Sequence, residues 1–386
     1  MNSKFENNVL TIYLEGNVDT TNAEAVGAEF ESIRAEHPEG QLILDLEDLH
    51  YISSAGLRQI LRLKKREKDL KLINCSSEVY EVFDMTGFAE MMDISKAYRK
   101  MSVDGCEKIG EGSNGIVYRL NPDTIIKVYK NSDALDDIKR ERELAKTALV
   151  LGINTAIPFD VVKVGDKYGS VFELLSAKSL TKLMGEDPDN KDKYIKIFAD
   201  MLKEIHSTPV KEGLLPSAKK TAMGWVEWLK EHIPAETYEK LHSLIDAIPE
   251  SNMMVHGDYH TSNVHYANGE AILIDMDTLS TGNPIFEFAS IYLAYKGYGE
   301  LDHSLVENFI KLDWDTANYT FEKLIDLYFE DKDETYKNEV KEHARVIGYT
   351  RALRRTIKRH PESVDLIEYY RKQLIELVDK TDSLAV

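Results

Sequence analysis

The feature that most constrains this chain is a polar loop, His256-Gly257-Asp258-Tyr259-His260-Thr261-Ser262-Asn263, followed by an apolar run that ends in acids, Ile272-Leu273-Ile274-Asp275-Met276-Asp277. An acid and an amide five positions apart, then a third polar side chain beyond a strand-like run, suit one proton acceptor and two oxygen ligands for a hard cation. Asp258 is expected to take the proton of an attacking hydroxyl. Asn263 and Asp275 are expected to hold Mg²⁺, one through a neutral and one through a charged oxygen. Asp277 fits either an accessory ligand or an acid behind the others. Read in isolation, the loop would also pass for a polar turn with an Asx cap.

Read as H-G-D-x-H-x-x-N, the loop resembles the aminoglycoside phosphotransferase and choline kinase branch of the protein-kinase-like fold, with Gly257 and His260 where protein kinases carry Arg and Lys. Further segments appear in kinase order. Lys108-Ile109-Gly110-Glu111-Gly112-Ser113-Asn114-Gly115-Ile116-Val117-Tyr118 sets G-x-G-x-x-G between two strand-like runs. The dinucleotide-binding form of that motif opens a helix, whereas Ile116, Val117 and Tyr118 continue as a strand. Gly110, Gly112, Ser113 and Gly115 are therefore expected to lie over nucleotide phosphates.

Thr124-Ile125-Ile126-Lys127-Val128-Tyr129 puts a lysine inside an apolar strand, where lysine is seldom buried alone. The resemblance implies that Lys127 contacts the ATP phosphates and pairs with a helix glutamate. A helix is expected from Asp136 to Leu151, with Ile138, Ala145, Ala148 and Leu149 on one face. Glu141 shares that face and is preferred to Glu143. Strands Asp160 to Val164 and Tyr168 to Glu173 lead into the crossing between lobes, where Glu173 and Leu175 are expected to meet adenine through main-chain atoms.

Helix periodicity dominates from Ser179 onward. Trp225, Trp228, Leu229, Ile233 and Leu241 read as helical core, and the resemblance gives His206 a packing role that steadies the catalytic loop. Gly282-Asn283-Pro284-Ile285-Phe286-Glu287-Phe288-Ala289 matches the G-x-P-x-x-D-L-A segment of these enzymes, with Glu287 where Asp is usual. Arg351, Arg354, Arg355 and Lys358 form a basic helix face that reads as solvated.

The first hundred residues alternate strands with helices. Val9 to Gly16 and Gln41 to Leu46 read as strands, with Asp19-Thr20-Thr21-Asn22 supplying caps for the helix between them. Lys71 to Cys75 is a third strand, and Glu78 to Met85 a helix closed by Gly87. Such alternation gives an α/β domain with a mainly parallel sheet. Gly16-Asn17-Val18-Asp19 and Tyr51-Ile52-Ser53-Ser54-Ala55-Gly56-Leu57 resemble the STAS domain of anti-sigma factor antagonists. In that family a serine at this turn is phosphorylated to switch partner binding, and Ser54 is the matching position. The usual Asp-Ser-Ser-Gly reads here Ser53-Ser54-Ala55-Gly56. Cap and switch stand as equal readings of these serines.

The expected organisation is a STAS-like α/β domain at 1–97, a linker at 98–104, and a two-lobed α+β kinase-like domain. Its β-rich lobe and hinge would span 105–178 and its helical lobe 179–386. In a chain of 386 residues that is 43% hydrophobic and 30% charged, no apolar run approaches the roughly 20 residues that span a bilayer. A net charge of −19 argues against nucleic acid as partner; it is compatible with a cationic acceptor, and a general acidity that aids solubility is the preferred reading of it. Cys75 and Cys106 match no metal-ligand spacing and read as reduced thiols in a cytoplasmic protein.

The leading functional expectation is transfer of the ATP γ-phosphoryl, with Mg²⁺, to a hydroxyl of a small molecule such as an aminoglycoside, amino alcohol or sugar. One rival is a protein kinase acting on Ser54 in cis or on a partner's STAS serine. Another is a nucleotide-sensing scaffold without catalysis.

Overall fold

The computed structural model describes residues 1–112 and 114–385, so the expectation for Ser113 lies outside the described residues. It divides into two compact units, Met1–Ser102 with Val161–Asp166, and Val103–Asp160 with Lys167–Val386.

The first unit opens with β1 (Asn2–Glu6) and β2 (Val9–Val18), where Leu10, Ile12 and Leu14 alternate into the core as a half-buried strand requires. Then come α1 (Ala23–Glu36), β3 (Gln41–Ile52), α2 (Ser54–Arg66), β4 (Lys71–Cys75), α3 (Ser77–Met85), α4 (Phe88–Met91), β5 (Asp93–Lys96) and β6 (Arg99–Lys100). The sheet order is β1-β2-β3-β4-β5. β1 pairs antiparallel with β2 and every other neighbouring pair is parallel, which is the mainly parallel sheet expected.

The sequence reading ended β3 at Leu46, but the strand runs to Ile52 because Leu49 and Ile52 keep reaching the core across shifts in register against β2. Ser53 caps α2 by accepting from the Gly56 amide at 3.3 Å. A Cβ on Gly56 would meet Val18 Cγ1 at 2.7 Å, so glycine lets this helix sit close to the sheet. Residues 98–104, read as a linker, contain β6, which pairs with Val162 and Lys163 within the same unit.

The second unit begins with β7 (Glu107–Glu111), β8 (Gly115–Asn121), β9 (Thr124–Tyr129) and α5 (Leu135–Val150), and it resumes with β11 (Lys167–Glu173) after β10 (Asp160–Val164), which belongs from Val161 onward to the first unit. Strands β7, β8, β9 and β11 run antiparallel in spatial order, with Lys127 of β9 opposite Val117 on one side and Ser170 on the other. In α5 the buried face is Ile138, Glu141, Leu144, Ala145 and Ala148. Leu149, expected on that face, is exposed: the stripe is centred near Glu141, which brings Leu144 inside and leaves Leu149 at its margin in the last turn.

Helices fill the remainder, beginning after β12 (Lys178–Ser179) with α6 (Leu180–Glu186), α7 (Lys191–Ser207), α8 (Ala218–Leu229) and α9 (Ala235–Asp246). Four short strands follow, β13 (Met254–Val255), β14 (Val264–Ala267), β15 (Glu270–Leu273) and β16 (Ser280–Thr281). The chain ends in α10 (Ile285–Tyr292), α11 (His303–Ile310), α12 (Trp314–Tyr328), α13 (Glu334–Arg359) and α14 (Val364–Lys380). A continuous apolar core that includes Phe198, Leu241, Phe288, Phe321 and Leu353 joins these helices. No helix among the described residues is long and apolar enough to cross a membrane.

Candidate active site

Two hairpin-like pairings bring the polar segments together. β13 pairs with β16 and β14 with β15, so the loop 256–263 leaves β13 and enters β14, while 274–279 leaves β15 and enters β16. Both loops are thereby tied at both ends. The Ile274 amide donates to the Asn263 carbonyl at 2.9 Å, and Thr278 Oγ1 donates to the His256 carbonyl at 2.7 Å. The side chain of Asn263 donates through Nδ2 to the Asp258 carbonyl at 3.0 Å, which aims its Oδ1 away from that bond. The amide of Asp258 donates to His256 Nδ1 at 3.4 Å, and His256 Nε2 then faces the Ile274 carbonyl at 3.2 Å as a donor.

The base of the loop rests on Glu287, fully buried at the start of α10. Its carboxylate accepts from the His256 amide at 2.5 Å and the Gly257 amide at 2.9 Å. His206 lies 3.8 Å from the same carboxylate and bonds the Tyr328 hydroxyl at 2.9 Å. Burial works against ionising Glu287, but His206 and His256 outweigh it and hold the carboxyl below its ordinary value.

Lys127 Nζ lies 3.0 Å from Glu141 Oε1 and 3.1 Å from Asp275 Oδ1. Glu141 also accepts from the Tyr129 hydroxyl at 2.7 Å, whereas Glu143 faces solvent beside Lys146. Desolvation disfavours the ammonium, yet Asp275 and Glu141 together raise its pKa above the usual lysine value. Asp275 adopts φ +64°, a left-handed conformation uncommon for a non-glycine residue, and one that turns up at functional sites. Asp277 accepts from Asn114 Nδ2 at 3.1 Å, and burial, reinforced by the charges of Asp275, Glu141 and Asp258, pushes its carboxyl up to about 7.

Asp258 is half-buried, with His260 Nε2 3.8 Å from its Oδ2. Burial alone would raise its pKa, but His260, Arg351 and His256 lower it below the ordinary carboxylate range. A cavity of about 710 Å³ is lined by Gly110, Gly112, Gly115, Lys127, Glu141, Glu173, Leu175 and Asp275. Asp258 and Asn263 do not line it and stand beyond its Asp275 end, across the loop-to-loop hydrogen bond. Gly115 is also required by the sheet, since a Cβ there would meet the Val128 carbonyl at 2.7 Å.

The donor set fits a magnesium ion. Asn263 Oδ1 is turned away from its own amide bond, and Asp275 and Asp277 are close enough for the charge of one to act on the other. Among the described residues no three His, Cys, Asp or Glu side chains cluster as a metal centre. Magnesium asks for less, because it is commonly bound through one or two carboxylates plus substrate phosphates.

The basic face of α13 is not the solvated stripe expected. Arg351 Nη1 donates to the Gly257 carbonyl at 2.6 Å and its guanidinium lies over Trp225 at 5.7 Å. Trp225 and Trp228, expected in the core, are half-buried and carry these cations on their rings. The roles of Arg351 and Asn114 leave no local signal in the sequence, since each contact spans a long separation.

Residues 105–321 match the model of the phosphotransferase enzyme family and residues 1–101 that of the STAS domain. Over 93 residues, 23% of this chain and 79% of the relative, the sequence is 34% identical to BtrV of Bordetella bronchiseptica, assigned as an anti-sigma factor antagonist. In fold the chain is similar to a thermostable mutant of aminoglycoside phosphotransferase APH(4)-Ia in ternary complex with AMP-PNP and hygromycin B. That match has 14% identity, covers 72% of this chain and 94% of that one, and has a TM-score of 0.51. The apo form of a thermostable mutant of the same enzyme matches with 14% identity, 71% and 94% coverage and a TM-score of 0.50.

Proposed function

Since this chain belongs to the phosphotransferase enzyme family and carries a STAS domain ahead of that region, we propose that it moves the γ-phosphoryl group of ATP to a hydroxyl of a small molecule. The observation that carries this reading is the Lys127 ammonium held between Glu141 and Asp275, at the wall of a cavity large enough for a nucleotide. Lys127 would meet the α- and β-phosphates, with Gly110, Gly112 and Gly115 of the same cavity lining lying over them. Glu173 and Leu175, which also line the cavity, would meet adenine through their main chain. Magnesium bound by Asn263 and Asp275 would neutralise charge on the phosphate oxygens.

Asp258 accepts the proton of the attacking hydroxyl as the new O–P bond forms and the bond to ADP breaks. A lowered pKa keeps it ionised at neutral pH, so it orients the hydroxyl throughout and takes the proton late. The test is ADP release by Asp258→Ala and Asp275→Ala proteins whose circular dichroism matches the parent. Turnover is expected to fall about 10²–10⁴-fold for the base. A folded Asp258→Ala protein with near-parental turnover would contradict the assignment.

A second reading is favoured by the two serines at the start of α2. Ser53 is buried and spent as the cap, while Ser54 is exposed in the first turn. A phosphate on Ser54 would meet the free amides and positive end of that helix, giving the STAS domain a charge-controlled surface for a protein partner. Intact mass after incubation with ATP and Mg²⁺, with Ser54→Ala as control, separates this from transfer to a free acceptor.

A further inference from the structure

Helix α13 changes character along its length. In its first half every cation of the buried side is matched: Lys337 with Asp326 and Glu334, Lys341 with Glu322, Arg345 with Glu342. From Arg351 onward the matching stops. Arg351, Arg354, Arg355 and Lys358 recur at i, i+3, i+4 and i+7 on one face, and among the described residues none of them forms an ion pair with a carboxylate. This happens in a chain with a net charge of −19. The helix dipole favours cations only in the last turn, which accounts for Lys358 and leaves the three arginines without a balancing negative charge from their own helix end.

The first of these arginines lies beside Asp258, whose carboxyl feels its charge. Arg351 bonds the carbonyl of Gly257, the residue before it, at 2.6 Å. Arg354 lies over Trp228 at 5.9 Å, with Lys358 over the same ring at 4.9 Å, and Arg354 Nε is buried with no hydrogen-bond partner. Arg355 Nη1 reaches the Tyr298 hydroxyl at 3.4 Å; the Tyr298 ring meets Phe309 at 5.5 Å, and Phe309 meets His260 at 5.1 Å. Arg351 therefore touches the loop at Gly257, and Arg355 is linked toward His260 through Tyr298 and Phe309.

We infer that the acceptor is a hydroxyl compound bearing a negative charge, a phosphate ester or a carboxylate, held by Arg351, Arg354 and Arg355 with its hydroxyl toward Asp258. The inference rests on the reading of Asp258 as base. Guanidinium groups present paired donors that match both anions, and the Trp225 and Trp228 rings lie under Arg351 and Arg354 before the ligand arrives. An acceptor carrying several ammonium groups, compatible with the overall charge of the chain, would meet like charge at this face.

The experiment measures ADP release by the full chain with Mg²⁺ and ATP against matched acceptors: glycerol 3-phosphate, ribose 5-phosphate, glycerate and serine O-phosphate beside glycerol, ribose and kanamycin. At least one anionic member is expected to stimulate release tenfold or more, and comparing glycerol 3-phosphate with glycerate tells phosphate from carboxylate. Arg355→Glu and the pair Arg354→Gln with Lys358→Gln are expected to raise the KM for that acceptor at least tenfold, and Arg355→Lys to recover much of it. Stimulation confined to kanamycin or to the uncharged members overturns the inference. So does an anionic acceptor whose KM ignores the charge changes, or no stimulation by any anion while ATP hydrolysis proceeds. If Asp258→Asn turns over an anionic acceptor at the parental rate, the reading of the base fails and the charge preference stands.

Discussion

Glu287 grips Gly257 from below, its buried carboxylate accepting the Gly257 amide at 2.9 Å while its second oxygen takes the amide of His256 at 2.5 Å. Two backbone donors at the root of the loop 256–263 thus end on one side chain. Glu287→Ala leaves both unsatisfied and buried, at a cost of about 3–5 kcal/mol. Glu287→Gln is milder, because its amide can accept one bond but presents N–H to the other donor. The expected order of melting temperature is parent, then Gln, then Ala, with turnover falling faster than stability in Gln because the loop loses its register.

The same carboxyl gives a sign to the acid limb. Its folded pKa lies below the ordinary value, so its contribution is fully present above the unfolded carboxylate pKa of about 4.3 and fades as pH falls through the lower folded value. Melting temperature followed from pH 6 downward should decline below about pH 4 in the parent, and Glu287→Gln should flatten that decline. An equally steep acid limb in the Gln variant would refute the linkage.

Lys127→Met removes the cation that Glu141 and Asp275 share. Glu141 keeps the Tyr129 hydroxyl, but the remaining carboxylates repel one another inside a partly dry cavity. Breaking such a pair costs about 3 kcal/mol. Without the ammonium, turnover should drop at least as far as for Asp258→Ala while the KM for ATP rises. Adding Glu141→Gln to Lys127→Met should restore melting temperature in part and turnover not at all.

How far the sequence revealed this is clear from Lys127 and Arg351. Lys127 stands in a strand of isoleucine and valine, an environment that requires a partner, and helix periodicity offered Glu141 on the inward face. The segments that carry Asp258, Asn263 and Asp275 stood out because each is a short polar stretch beside apolar runs, and the fold ties them together. The two-unit α/β and kinase-like pattern was legible for the same reason of period. Arg351 was not, since it reaches Gly257 across 94 residues and its own helix face looks like any solvated basic stripe. Leu149 misled because a leucine near the edge of an apolar stripe carries no sign of which side of the margin it falls on.

The cysteines offer a check on the first unit. Cys75 is fully buried in β4, and burial pushes its thiol up to about 12, while Cys106 is partly exposed. Thiolate is the reactive form, so at pH 8 a disulfide reagent should titrate one thiol quickly in the native chain and both only in denaturant. Because the folded pKa is raised, stability from Cys75 is whole below the unfolded thiol pKa of about 8.5 and is lost as pH climbs toward 12. Cys75→Ser, which exchanges a buried thiol for a hydroxyl, should lower the melting temperature of the parent at neutral pH.

Two glycines of the same loop should respond differently to one methyl group. At Gly115 a Cβ would stand 2.7 Å from the Val128 carbonyl, part of the backbone of the neighbouring strand, which cannot move aside without disturbing the sheet. Gly115→Ala should therefore cost about 1–3 kcal/mol of stability whether or not a nucleotide is present. At Gly112 a Cβ meets nothing within 4 Å, and the chain there is held by its amide to the Gly115 carbonyl and by Lys130 on its own carbonyl. Gly112→Ala should leave the unliganded melting temperature almost unchanged, within about 0.5 kcal/mol. If this loop closes over phosphates, the added methyl group enters the space they occupy, and the KM for ATP should rise about tenfold, equivalent to about 1.4 kcal/mol. Calorimetry with and without AMP-PNP reads both effects: a stabilising shift on nucleotide addition that is as large in Gly112→Ala as in the parent would remove the loop from the binding site.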